Sequence, residues 1–303
     1  GNGEYQLYTE ANVDIDTRNN KITITADLIP KADPAKVRDQ ARALLNWDVT
    51  NRPDDKIAHE RLWQFTSGKA VHDNGGAGYG MGTMTFTVTN PNNLPLGCWP
   101  SMWLLGRGAW PTGGEIDILE MLPIEAGRRQ ISSATHFGHH PTEREFNKGE
   151  AGAYNFGDKI EMKVTRTKTR VTVHARDADA RTWHIINDVD LTNFESKGDV
   201  SEFMDGPMDL IANVAVGGAG LGMDLPGGMG RVSADPRYFR WAWTQAKWEI
   251  ENIGWIPEEE YGSVTVPDPL RPQPMLQGDM KWAKFDPGFL AWERMQGGGG
   301  WRK

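Results

Sequence analysis

Three acidic residues stand close together in one apolar stretch of the sequence. Glu115, Asp117 and Glu120 lie in the run Gly-Glu-Ile-Asp-Ile-Leu-Glu, among isoleucine and leucine residues that are typical of a strand. Carboxylates are costly to place among large apolar side chains unless they line a cleft. Two carboxyl groups about 5–5.5 Å apart can cleave a glycosidic bond with retention, one as nucleophile and the other as acid/base. The run is a candidate for this chemistry, and a row of solvated acids on an exposed strand is the alternative.

The spacing of the three acids constrains the strand that carries them. Successive side chains of a strand point to opposite faces, so Glu115 and Asp117 share one face. Glu120 follows Glu115 by an odd number of positions, and a regular strand would point it the opposite way. One extra residue in the strand, a β-bulge, restores Glu120 to the face of the other two. We therefore predict a bulge near Ile118-Leu119, with Asp117 between the two glutamates and hydrogen-bonded to the nucleophile.

The rest of the chain predicts the sheets that must hold this strand. Short runs alternate between polar and apolar residues, as in 82–88 and 159–164, and turn residues separate them. Many such runs in one chain predict an all-β fold with two antiparallel sheets packed as a β-sandwich. One segment differs, because Asp33-Pro34 begins a run whose apolar residues fall on one helical face. We predict one inserted short helix from 34 to 45 that covers part of the surface.

Composition and charge limit the classes of function. The chain has 303 residues, which fits one large sandwich domain, and it lacks the long apolar stretch of a membrane span. Its formal net charge of -8 argues against general nucleic-acid binding, because phosphate contacts need a surplus of lysine and arginine. The single cysteine, Cys98, excludes an intrachain disulfide and is expected to be a small buried hydrophobe. The 13 tryptophans exceed the needs of a core and suggest flat faces on which sugar rings stack.

The acidic run and the residues before it resemble the signature of glycoside hydrolase family sixteen. The segment Trp-Pro-Thr-Gly-Gly-Glu-Ile-Asp-Ile-Leu-Glu at 110–120 carries the resemblance, and its Glu-x-Asp-x-x-Glu spacing is similar to the bulge-containing branch. That branch includes laminarinases, agarases and carrageenases. Further segments that resemble the family follow the same order, at 2–9, 66–69, 97–103 and 213–218. The resemblance implies a concanavalin-like jelly roll, a substrate cleft on its concave sheet and a single catalytic domain over 1–303.

The resemblance also implies roles for individual residues. Glu115 would be the nucleophile, Asp117 its assistant and Glu120 the acid/base. The residues that would bind substrate are Trp110 and Trp103, which would flank the sugar at the cleavage point, then His136, Trp99, Asn2 and Lys69. Lys69 stands where the family often has arginine. The histidines lack metal-ligand spacing, so we predict no metal site and no required cofactor, while a structural calcium ion stays open.

The expected function is that of a retaining endo-glycoside hydrolase that cleaves β-1,3-glucan of the laminarin type by double displacement. The Trp-Pro pairs at 110–111 and 99–100 favour this substrate over agarose or carrageenan. Two alternatives with the same acids are an agarase-like galactan hydrolase and a transglycosylase, in which a sugar intercepts the covalent intermediate. A non-catalytic β-glucan-binding module is the alternative of another class, and it would be expected to lose one or both glutamates. We expect a secreted monomer with its signal peptide removed, whose partner is a polysaccharide and not a nucleic acid or a membrane.

The two ends of the sequence suggest a circular permutation. The composition changes at Pro257, and residues 257–279 are rich in proline, which is typical of an extended strap along a surface. Residues 280–303 resemble the opening segment that the family places before the stretch that here begins at Asn2. We predict that residues 280–303 complete the sandwich next to residues 1–9, which chain ends that lie close together would permit. An unrelated C-terminal extension on a truncated domain is the alternative.

Overall fold

The computed structural model of the protein describes residues 6–28, 65–89, 94–95, 97–125, 128–138, 145–150, 156–192, 203, 205–217, 245–258 and 283–284. The strands within these ranges are β1 (Gln6–Tyr8), β2 (Val13–Asp16), β3 (Lys21–Leu28), β4 (Phe65–Ser67), β5 (Lys69–His72), β6 (Gly82–Thr89), β7 (Cys98–Gly106), β8 (Glu115–Glu125), β9 (Arg128–Phe137), β10 (Glu145–Glu150), β11 (Lys159–Arg166), β12 (Arg170–Asp177), β13 (His184–Asp190), β14 (Met208–Val216), β15 (Ala246–Pro257) and β16 (Ala283–Lys284). A short 3-10 helix, Glu10–Asn12, precedes β2.

Hydrogen bonding joins these strands into two sheets. Sheet A has the order β1-β4-β3-β15-β6-β11-β12-β13, and β2 also pairs with β3. Sheet B has the order β10-β9-β8-β7-β14-β5-β16. The pairing of β1 with β4 is parallel, and the other pairings between described strands are antiparallel. The predicted all-β sandwich of two sheets is confirmed.

The core lies between the two sheets and follows the alternation of the sequence. In β11, Ile160, Met162 and Val164 pack in the core, whereas the residues between them remain partly exposed. β6 and β12 alternate in the same way over most of their length. β7 and β14 of sheet B are buried on both faces along almost all of their length. One face of sheet B packs in the core, and the other points away from it. We call the face that points away from the core the outer face of sheet B. The acids of β8 lie on this outer face.

Other predictions from the sequence concern Cys98, Asn2, the helix at 34–45 and the strap at 257–279. Cys98 is buried, as predicted. The predicted helix at 34–45 and the residue Asn2 lie outside the described residues, as does the strap at 257–279 apart from its first two residues. The described part of the chain has no helix with the length and hydropathy that crossing a bilayer requires.

The described residues nearest the two chain ends pair with one continuous run of backbone. β4 and β5 are separated by Gly68 alone, so the run 65–72 passes from sheet A into sheet B. Residues 6–8 pair with the first half of this run, and residues 283–284 pair with its second half. A Cβ at position 68 would lie 2.4 Å from the carbonyl oxygen of Asn12, so glycine permits the close approach at the crossing point. This arrangement is compatible with the circular permutation, which stays a prediction.

Arg129 ties β9 to the segments around the later part of β8. Its Nη1 donates to the carbonyl oxygens of Cys98 at 2.7 Å and Met121 at 3.2 Å. Its Nη2 donates to the carbonyl oxygens of Leu94 and Pro95, each at 2.9 Å. Burial lowers the pKa of this guanidinium to about 10. The side chain therefore stabilises the start of β7 and the middle of β8 through backbone carbonyls.

We predict that Arg129→Met destabilises the protein, because four carbonyl groups lose their buried donor. The expected loss in the free energy of unfolding is about 3 kcal/mol, measured by urea denaturation. Arg170→Met is the matched control, since Arg170 forms an exposed ion pair with Asp188, and it should change the stability little. Equal losses in the two variants would contradict the role of Arg129.

Candidate active site

The bulge predicted in β8 is present. The consecutive residues Met102 and Trp103 of β7 pair with Leu119 and Asp117 of β8, so Ile118 is an extra residue without a partner position on β7. The pairing of β8 with β9 shifts over the same stretch. The bulge follows from the sequence, because the polar and apolar residues of β8 keep to their own faces only if one position is skipped.

The bulge places the three acids on the outer face of sheet B. The residues of β8 that pack in the core are Ile116, Ile118, Leu119 and Met121. Glu115 precedes these core residues, Asp117 and Glu120 stand between them, and all three acids point the other way. Asp117 is only 8% exposed, and the side chain of Glu115 is 23% exposed. The acids therefore line a partly buried site, and the alternative of a solvated row on an exposed strand does not apply.

His136 and Trp110 adjoin the acids. His136 is the register partner of Glu115 on β9, and its Nε2 lies 3.1 Å from Oδ2 of Asp117 and 3.9 Å from Oε1 of Glu115. The indole N–H of Trp110 donates to Glu115, and the Trp110 ring lies 6.1 Å from the His136 ring, centroid to centroid. The structure brings both residues to the acids as the sequence predicts, and their contacts with substrate stay predictions.

The pKa of Glu115 is raised well above its usual value of 4.5. Burial is the largest cause, followed by the negative charges of Asp117 and Glu120 and a hydrogen bond with Asp117. The hydrogen bond from Trp110 acts in the opposite direction, because it stabilises the ionised carboxylate. Burial and the neighbouring negative charges thus favour the protonated form of Glu115.

A second cluster of polar and aromatic residues lies beside the acids. Trp103 is the register partner of Asp117, and its indole N–H donates to Oδ1 of Asn213 at 2.8 Å. The side-chain amide of Asn213 donates to the hydroxyl of Tyr8 at 3.1 Å. The ammonium of Lys69 lies 5.3 Å from the Trp103 ring centroid and 5.8 Å from that of Tyr8, within cation–π range. Lys69 thus packs beside both aromatic rings, and its predicted sugar contact stays a prediction.

Trp99 lies further along β7 in a small apolar cluster with Leu122 and Ala215. This cluster is separate from the core between the sheets. Trp99 is 8% exposed, and its indole N–H has no hydrogen-bond partner among the residues that the structure describes. The N–H is itself buried, and the substrate-binding role of Trp99 stays a prediction.

Three donor atoms of the site are close enough to hold a metal ion. A carboxylate oxygen each from Glu115 and Asp117 and a ring nitrogen of His136 lie within 4.8 Å of one another. The same atoms are already engaged with one another through hydrogen bonds that need no metal ion. Our expectation that no metal is required stays a prediction.

The sequence reasoning did not single out Tyr8 and Asn213. Both lie in segments that resemble the family, 2–9 and 213–218, and this was the available signal. Their contact joins residues 205 positions apart, which no local pattern reveals.

A family model described as "XgeA-like, catalytic GH16 domain" matches residues 77–183. The matched stretch contains β6 to β12, and therefore the three acids and His136. On this match the chain is a glycoside hydrolase. A search of curated protein sequences gave no match.

Solved structures share the sandwich. The catalytic domain of the laminarinase from Thermotoga maritima gives a TM-score of 0.53 at 19% identity and covers 82% of each chain. SCLam, a non-specific endo-β-1,3(4)-glucanase from family GH16, gives 0.51 at 21% identity over 82% of this chain and 76% of its own. A structure from work on endo-acting O-glycanases of human gut microbiota, which initiate mucin breakdown, gives 0.55 at 18% identity over 90% and 87%. At these identities the likeness shows a common fold.

We predict that Glu115→Gln stabilises the protein at neutral pH. The raised pKa means that the folded protein keeps a proton which the unfolded chain loses above pH 4.5, so folding stability falls as the pH rises from there to the raised pKa. Glutamine removes this titration and its cost. The variant should gain on the order of 1 kcal/mol at neutral pH and less near pH 4.5, measured by thermal unfolding across that range. A gain that does not depend on pH would contradict the electrostatic cause.

Proposed function

We propose that the protein is a retaining endo-glycosidase that cleaves β-1,3-glucan, with Glu115 as nucleophile and Glu120 as acid/base. The single observation that carries the proposal is the bulge at Ile118, which places Glu120 on the same face as Glu115 and Asp117. A regular strand would separate the two glutamates on opposite faces and could not perform this reaction.

The proposed reaction has two displacements. In the first, the carboxylate of Glu115 attacks the anomeric carbon, the bond to the glycosidic oxygen breaks, and that oxygen takes the proton of Glu120. In the second, Glu120 removes a proton from water, and the water oxygen attacks the anomeric carbon and releases Glu115. Each step inverts the configuration, so the product retains it. A sugar hydroxyl in place of water would give transglycosylation.

The first step needs a proton on Glu120 and a negative charge on Glu115. Burial and the neighbouring carboxylates raise the pKa of Glu115 and oppose this charge, whereas the N–H of Trp110 favours it. Asp117 lies between His136 and Glu115, where its hydrogen bonds orient the nucleophile.

The choice of β-1,3-glucan rests on the Trp-Pro pairs at 99–100 and 110–111 and on the glucanases among proteins of the same fold. One structure of the same fold comes from work on O-glycanases, so glycans other than β-glucan are a second candidate substrate. They include the galactans that an agarase-like enzyme would cleave. Both glutamates are present and face the same way, which argues against a non-catalytic binding module. A polysaccharide substrate suits a secreted, monomeric enzyme with no required cofactor, and we propose these properties with it.

We predict that the protein releases internal fragments from laminarin faster than it acts on mixed-linkage glucan, agarose or carrageenan, measured by product chromatography. Glu115→Gln should abolish hydrolysis while binding of oligosaccharides, measured by calorimetry, persists, because the amide cannot attack but occupies the same volume. Glu120→Gln should lower kcat by about 10²–10⁴-fold, the usual contribution of general acid–base catalysis. Glu251→Gln, an acid of sheet A paired with lysines, is the control and should leave the activity unchanged.

The outcomes separate substrate from mechanism. Full activity of Glu115→Gln would rule out the proposed nucleophile. Cleavage of agarose but not laminarin would correct the substrate and leave the mechanism in place. Inverted anomeric products in a proton NMR time course would contradict the double displacement.

A further inference from the structure

A phenylalanine from a separate part of the chain packs beneath the acids. Phe203 is fully buried, and its ring stacks on that of Phe137 with centroids 5.2 Å apart and planes 12° apart. A Cβ at position 114 would lie 1.9 Å from the Phe203 ring, so the ring lies directly against the backbone of Gly114. Gly114 has a φ of +77°, a conformation that glycine adopts without strain.

The two residues that contact the Phe203 ring are sequence neighbours of residues in the candidate active site. Gly114 directly precedes Glu115, and Phe137 directly follows His136. Glu115 and His136 are register partners across β8 and β9. One ring, that of Phe203, therefore supports both strands on the core side at the point where they carry this pair on the outer face.

Arg166 fixes the segment that carries Phe203. It ends β11 in sheet A and is 2% exposed. Its guanidinium donates to the carbonyl oxygens of Phe203, of Gly206 at 2.9 Å and of Tyr79 at 3.3 Å. The guanidinium carbon also lies 5.7 Å from the Phe203 ring centroid. Arg166 thus connects sheet A to the support beneath β8 and β9.

We propose that Phe203 and Arg166 are positioning residues that set the placement of Glu115 and His136 from the core side. The proposal rests on the proposed function, because it concerns the same acids. Neither residue reaches the outer face, so each acts through backbone: Phe203 through Gly114 and Phe137, and Arg166 through Phe203. A shift of about 1 Å in a reacting group can cost about a hundredfold in rate, so this support matters to catalysis beyond its share in stability.

The test compares two phenylalanines that are equally buried. Phe203→Leu removes the ring that packs against Gly114. Phe65→Leu makes the same change in β4. Three strands of sheet A, β3, β15 and β6, separate β4 from β11, the strand that carries Arg166. Both variants should lose melting temperature to a similar extent. Phe203→Leu should lower kcat at least about tenfold with KM within about twofold, and Phe65→Leu should keep kcat near that of the wild type.

A second pair of variants tests the arginine. Arg166→Met should lower kcat in the same way as Phe203→Leu, because the carbonyl of Phe203 loses its donor. Arg166→Lys keeps a charged donor and should recover part of that loss.

Equal loss of kcat in Phe203→Leu and Phe65→Leu, or an unchanged kcat in Phe203→Leu, would overturn the proposal.

A readout that needs no substrate separates this proposal from the proposed function. The ring signals of His136 can be recorded by NMR at one fixed pH, and His136→Asn identifies them. Their chemical shifts should change in Phe203→Leu and stay as in the wild type in Phe65→Leu. Absence of cleavage of every glycan by the wild type would reject the proposed function alone, and unchanged His136 chemical shifts in Phe203→Leu would overturn the positioning role.

Discussion

The extra residue in β8 is the constraint on which the candidate active site depends. Ile118 interrupts the alternation of the strand, so that four apolar side chains remain in the core while three acids share the outer face. The core thereby enforces the site, because moving Glu120 to the other face would bury its charge and expose Leu119 or Met121. The same packing that stabilises the sandwich thus holds the three acids together.

Bringing the acids together has an electrostatic cost that their neighbours reduce. Glu115 is partly buried beside two other carboxylates, and its pKa rises accordingly. Trp110 donates to Glu115, and His136 contacts Asp117, so both of these acids have a polar neighbour. Proteins commonly retain such a destabilised arrangement where function needs it. Phe203 packs against Gly114 from the core side, and Arg129 of β9 binds backbone carbonyls beside the later part of β8. Both contacts are consistent with this view.

The sequence predicts the parts of this arrangement that depend on local periodicity. Alternation predicts the two sheets, and the odd separation of Glu115 and Glu120 predicts the bulge. Contacts between distant segments leave no such pattern: Asn213 with Tyr8, Arg166 with Phe203, and Lys69 against aromatic rings arise from the pairing of strands far apart in the chain. The resemblance to family sixteen placed His136 and Trp110 near the acids, which alternation alone does not do.

Deletion of Ile118 tests the role of the bulge most directly. Without this residue, Leu119 follows Asp117 and occupies the vacated core position, and a regular strand then presents Glu115, Asp117 and Glu120 on one face. We predict a variant that folds cooperatively and cleaves the wild-type substrate within about a hundredfold of the wild-type rate. A deletion variant with the wild-type circular dichroism spectrum and a cooperative melt but no activity would contradict the account.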